Sequence, residues 1–208
     1  QWRSLLFDEN GQFKSEYLGQ LGLAKFAQTH TQGRMMTAIK NTSGVLTEGE
    51  LKQLGWKTFQ GTATEFHQWR SLILDAKGED TNGKVKPEYR GQVGYVKFSN
   101  DYTAGKMSTA FVNTSSALTA AEFSQLGWKG FQGLTTDFNR YRDFLFHSRS
   151  KKPLQRYKGK KTGLLSAVDD WILFNRLSPK SLPRIKQNFR SVLSPEEIQL
   201  FEWDFLRD

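Results

Sequence analysis

Leu46-Thr-Glu-Gly-Glu-Leu-Lys-Gln-Leu-Gly-Trp-Lys-Thr-Phe-Gln-Gly61 decides how this chain is read, because it returns as Leu118-Thr-Ala-Ala-Glu-Phe-Ser-Gln-Leu-Gly-Trp-Lys-Gly-Phe-Gln-Gly133. Each copy spells one short helix with both ends written in. Thr47 with Glu50, and Thr119 with Glu122, have capping-box spacing: the hydroxyl accepts from a first-turn N–H while the carboxylate accepts from the cap's own N–H. Gly55 and Gly127 suit the left-handed residue that stops a helix, which sets Trp56 over Leu51 and Trp128 over Phe123.

Outward from this stretch, Ser15 to Arg70 aligns without gaps to Pro87 through Arg142, about half the positions being identical. Gln1-Trp-Arg-Ser-Leu-Leu-Phe-Asp8 matches Gln68-Trp-Arg-Ser-Leu-Ile-Leu-Asp75, with a weaker echo at Arg140-Tyr-Arg-Asp-Phe-Leu-Phe146. Self-similarity at this period marks a repeat architecture. Thr62–Leu74 reads as a helix, with Phe66, Trp69, Leu72 and Ile73 at three- and four-residue spacing. Glu16–Phe26 and Glu88–Phe98 read as helices despite their glycines, with a strand as the alternative at Val93–Phe98. The identity fades after residue 146, and the reading ends the repeat there. Residues 148–163 lack an apolar face and read as a basic loop, followed by helices at Leu165–Arg176, Leu182–Leu193 and Pro195–Leu206. The expected fold is therefore mainly α: two tandem helical repeats followed by a basic helical C-terminal region, short strands being an option inside the repeats. The corresponding boundaries are 1–67, 68–147 and 148–208.

Composition narrows the chemistry. The chain has 208 residues and no cysteine, which excludes disulfides, thiolate metal sites and a thiol nucleophile. No apolar run approaches bilayer length and no signal-peptide pattern is present. The first residue is Gln, which points to a processed chain or a fragment, so compartment stays open. Net charge is +9, with 30 Lys/Arg against 21 Asp/Glu. Residues 1–67 carry 7 against 6, residues 68–139 carry 8 against 7, and residues 140–208 carry 15 against 8. The basic excess belongs to the last third, where any polyanion is expected to bind.

Candidate sites follow. Asp8-Glu-Asn-Gly11 and Asp80-Thr-Asn-Gly83 imitate the middle of a calcium loop, but both lack the acid at the first ligand position and the bidentate glutamate. They read as ordinary turns. Glu16 and Glu88, unlike the capping acids, have no evident structural task and are the candidate catalytic acids. No two histidines stand four apart, and no metal or cofactor is expected. Cations with interleaved aromatics are what phosphate neutralisation and base stacking require. The polyanion-binding candidates are Arg149, Lys151, Lys152, Arg156, Tyr157, Lys158, Lys160 and Lys161 in the loop, then Arg184, Lys186 and Arg190. The expectation is a non-enzymatic tandem-repeat module that contacts nucleic acid. The alternative is a secreted, cell-envelope or phage-type protein that binds or hydrolyses an anionic glycan such as peptidoglycan through an acidic residue.

Overall fold

The computed structural model describes residues 1–75, 83–160 and 162–203. Among them the chain forms α1 (Trp2–Leu6), α2 (Gly19–His30), α3 (Met35–Ser43), α4 (Glu48–Leu54), α5 (Ala63–Ile73) and α6 (Gly91–Tyr102). There follow α7 (Met107–Ala117), α8 (Ala120–Leu126), α9 (Thr135–Leu145), α10 (Gly163–Phe174), α11 (Leu182–Ser191) and α12 (Pro195–Phe201). The mainly helical class is as expected. Val93–Phe98 lies inside α6, and β pairing among the described residues is confined to isolated bridges. Two compact units result, one of Gln1–Arg90 with Phe111–Gly127, the other of Gly91–Ala110 with the chain from Trp128 on.

In the first unit α2 packs on α3 and α5. Leu23, Phe26 and Ala27 of α2 meet Met35, Ala38 and Phe66 in a core where each is fully buried. Such side chains contribute about 1.5–3 kcal/mol apiece for the large ones. Gly22 makes the approach possible, because a Cβ there would fall on the Tyr17 carbonyl group. In the second unit Tyr141 stacks on Trp171 at 3.9 Å and meets Phe189 edge-on at 5.0 Å. Gly163 opens α10 against the Tyr157 carbonyl with the same clearance problem, solved by the same residue.

One series of elements and bonds is met three times along the chain. Bridges Phe7–Phe13, Leu74–Val85 and Phe146–Pro153 each precede a 3-10 turn, at Ser15–Tyr17, Pro87–Tyr89 and Gln155–Tyr157. A twelve-residue helix follows in each case: α2, α6 and α10. Each series closes on a helix with a full capping box: Thr47 with Glu50, Thr119 with Glu122, Ser194 with Glu197. The left-handed stop falls at Gly55, Gly127 and Glu202, with φ of 69°, 63° and 59°. A tryptophan comes next. Trp56 donates its indole N–H to the Tyr17 carbonyl at 2.7 Å, and Trp203 to that of Tyr157 at 2.7 Å. Trp56 sits 5.2 Å from Phe26 and Trp128 sits 5.4 Å from Phe98, both at 50°. Leu51 and Trp56 both pack against the core of the first unit, and the rings of the long helix add to the contacts expected from the sequence.

Elements and bonds of the same kind thus occur after residue 146, where the sequence identity fades. Two changes hid them. The connection between the second and third helices is residues 31–34 and 103–106 in the earlier series, but 175–181 here. The left-handed stop is also a glutamate where the others have glycine. The basic loop contains a 3-10 turn, and the last helix ends at Phe201 with Glu202 as its left-handed cap, while Leu206 lies outside the described residues.

An arginine on the lead helix clamps each capped helix. Arg3 holds Glu50 at 2.7 and 3.0 Å, Arg70 holds Glu122 at 2.7 and 2.8 Å, and Arg142 holds Glu197 at 2.7 and 2.9 Å. Each also donates to a carbonyl just before the cap: Val45, Ala117 and Val192. The glutamate thus serves two masters, its own helix N-terminus and a fork from elsewhere in the chain.

Candidate nucleic-acid interface

The basic stretch begins where α9 ends. Between Phe146 and Pro153, the His147 N–H donates to the Lys152 carbonyl and the Lys151 N–H to the His147 carbonyl, both at 2.9 Å. Lys151 closes the turn in the left-handed region, with φ of 53°. Arg149, Lys151 and Lys152 stand exposed on it. Lys151 reaches Asp143 at 3.9 Å, an exposed pair of the kind that contributes little. Arg156 and Lys160 are exposed and Lys158 is half-buried, while Lys161 lies outside the described residues. Among the described residues no carboxylate comes within ion-pair distance of Arg149, Lys152, Arg156, Lys158 or Lys160. Arg184, Lys186 and Arg190 lie on a separate element, α11, where Arg184 is exposed and the other two are half-buried. The backbone of Arg190 is engaged too, its carbonyl accepting from Lys129 at 3.3 Å.

Tyr157 has another task from the one its composition suggested. It is 1% exposed, its ring stacks on Phe144 at 5.3 Å, and its hydroxyl donates to Asp170 at 3.0 Å. Burial and the Asp170 carboxylate push its phenol up to about 12. With its carbonyl also taken by Trp203, it is a core residue, and no ring face is left for a base. Exposed apolar surface is offered instead by Leu173 and Phe174 at the end of α10, 79% and 78% exposed. With Phe144, Arg156, Tyr157 and Asp170 they line an open cleft of about 230 Å³. Sequence reasoning missed Phe174. The available signal was a helix with apolar residues on more than one face, Trp171 and Leu173 pointing away from each other.

The acidic candidates stand in exposed turns. Glu16 and Glu88 occupy matching places in the 3-10 turns before α2 and α6, and both are exposed. Lys25 hydrogen-bonds Glu16 at 2.6 Å and holds its carboxyl below the ordinary range. A general acid at neutral pH needs a shift in the other direction. Asp8 accepts the N–H groups of Asn10 and Gln12 at 2.9 and 2.8 Å, the bonding of an Asx-type turn. Asp80 and Asn82 lie outside the described residues. Calorimetric titration with calcium should show no site in the micromolar range; a binding isotherm lost in Asp8→Ala would overturn that expectation. Among the described residues there is no group of three or more His, Asp or Glu placed to hold a metal. Comparison with known protein families, with curated proteins and with solved structures finds no match.

Proposed function

We propose that the chain is a non-enzymatic array of three tandem helical repeats whose C-terminal basic part binds a polyanion, nucleic acid being the first choice. The supporting observation is the group of exposed cations without carboxylate partners among the described residues, Arg149, Lys152, Arg156 and Lys160, with an exposed aromatic ring, Phe174, bordering the Arg156 cleft. Cations there would neutralise phosphates and release counterions, and the ring would stack on an unpaired base. A flexible single strand suits this pairing, because a duplex keeps its base faces covered. Asp170, which also lines the cleft and accepts from the Tyr157 hydroxyl, would repel phosphate and keep a bound strand on the cationic rim.

Fluorescence anisotropy on labelled oligonucleotides tests the reading. Log affinity should fall with log salt by about 0.7 per phosphate contact on a single strand. Changing Lys151, Lys152, Lys158 and Lys160 together to Gln should flatten that slope by about 3 and leave the fold intact. Phe174→Ala should weaken single-strand binding by about 1–3 kcal/mol while leaving the salt slope unchanged. Absence of binding at low salt, with retention on purified peptidoglycan, would replace this reading by the glycan one.

A further inference from the structure

Two junctions in this chain share one construction. In the first unit Gln20, 4% exposed, donates to the Ser116 carbonyl at 2.6 Å and the Lys57 carbonyl at 2.8 Å, and accepts from the Lys57 N–H. The Lys57 ammonium donates to the carbonyls of Ser115 at 2.9 Å and Leu118 at 3.4 Å. In the second unit Gln92 donates to the carbonyls of Lys129 and Ser191 and accepts from the Lys129 N–H at 2.7 Å. The Lys129 ammonium donates to Leu193 at 2.6 Å and Arg190 at 3.3 Å. Ser115 and Ser116, like Arg190 and Ser191, offer carbonyls that a helix leaves open at its C-terminus, those of α7 and α11, and Leu118 and Leu193 follow just beyond. The donors are always the same pair: the glutamine that opens a long helix and the lysine after Gly-Trp.

The gapless alignment puts Ser43, Gly44, Val45 and Leu46 where the second series has Ser115, Ser116, Ala117 and Leu118. At this end of α3 the surface is bare. Ser43, Gly44 and Val45 are exposed, Val45 at 40% where Ala117 and Val192 are at 0%, and Leu46 keeps 8% where Leu118 and Leu193 keep none. Arg3 takes the Val45 carbonyl as Arg70 takes that of Ala117, so the arginine part of the construction is in place. Its glutamine and lysine have no counterpart here among the described residues. We propose that the Ser43–Leu46 face is a docking surface for a further series of the same pattern, supplying a glutamine from its long helix and the lysine of a Gly-Trp-Lys stop. A second copy of this chain has no such pair to offer. Gln20 with Lys57 and Gln92 with Lys129 are already seated, and in the third series the residue after Trp203 is Asp204.

The test extends the full chain by a copy of residues 1–67 fused ahead of Gln1, which repeats the natural His67–Gln68 join. Hydrogen exchange is then followed at the amides of Gly44, Val45 and Leu46 in the original series. Protection should rise by a factor of ten or more on the order of that expected for newly buried amides, and the added copy should exchange as a folded segment. Gln20→Ala with Lys57→Ala in the added copy, or Val45→Glu in the original, should remove the gain. Val45→Glu should leave the 208-residue chain itself unchanged, since that side chain is exposed. An added copy that exchanges as unfolded chain, or protection that survives Val45→Glu, would overturn the proposal. So would a concentration-dependent dimer of the 208-residue chain that Val45→Glu dissolves, which would give the face to a second copy.

Discussion

Replacing Arg70 with Ala is expected to destabilise the first unit by about 3–5 kcal/mol, because it leaves a carboxylate buried without its cation. The Arg70 and Glu122 side chains are 4% and 0% exposed, against 50% and 23% for Arg3 and Glu50. Burial pushes the Glu122 carboxyl up, but the Arg70 fork and the N–H groups of Gly83 and Thr119 outweigh it and hold the group below its ordinary range. A carboxyl depressed in the folded state contributes stability above the unfolded value of about 4.3, lost as pH falls through the folded one. In Arg70→Ala that depression is removed, so the gap between variant and parent should narrow on acidification below about pH 4. Arg70→Met with Glu122→Gln should recover most of the loss, since the cap survives and no charge is buried. Urea unfolding at pH 7 and pH 3 measures both effects. A single variant within about 1 kcal/mol of the parent at pH 7 would show that the pair is solvated. For Arg3→Ala the loss should be much smaller than for Arg70→Ala, as its guanidinium is half in water and screened.

Trp203→Ala is the second large effect, expected at about 3–5 kcal/mol from the second unit. The side chain is 6% exposed, lies 4.7 Å from the Phe201 ring and 6.1 Å from that of Phe189, and closes over Gly163. Its truncation empties a space that the rigid aromatic neighbours cannot fill, and leaves the buried Tyr157 carbonyl without its 2.7 Å donor. Trp203→Phe separates these contributions. It keeps most of the packing and should cost about 1–3 kcal/mol, the penalty of the unpaired carbonyl. Thermal and chemical unfolding followed by the near-ultraviolet signal would rank the two variants. Equal losses would mean that the hydrogen bond carries the whole contribution.

The sequence by itself determined the local elements: two capping boxes, two glycine stops and the helical class, because each is set by residues within four positions of one another. It also paired Trp56 with Trp128 through plain identity. The third passage, the burial of Tyr157 and the exposure of Phe174 needed the tertiary structure. The bonds that define that third passage join residues far apart in the chain, Arg142 to Glu197 and Trp203 to Tyr157, 55 and 46 positions respectively. They leave one or two residues each in the sequence, too few to align once the α10–α11 connection lengthens. The composition of residues 148–163 records how many cations are present, and Tyr157 among them looks like one more surface aromatic. Only the folded chain shows its hydroxyl on Asp170 and its ring against Phe144, because burial depends on which distant side chains close over a residue and not on its neighbours in sequence.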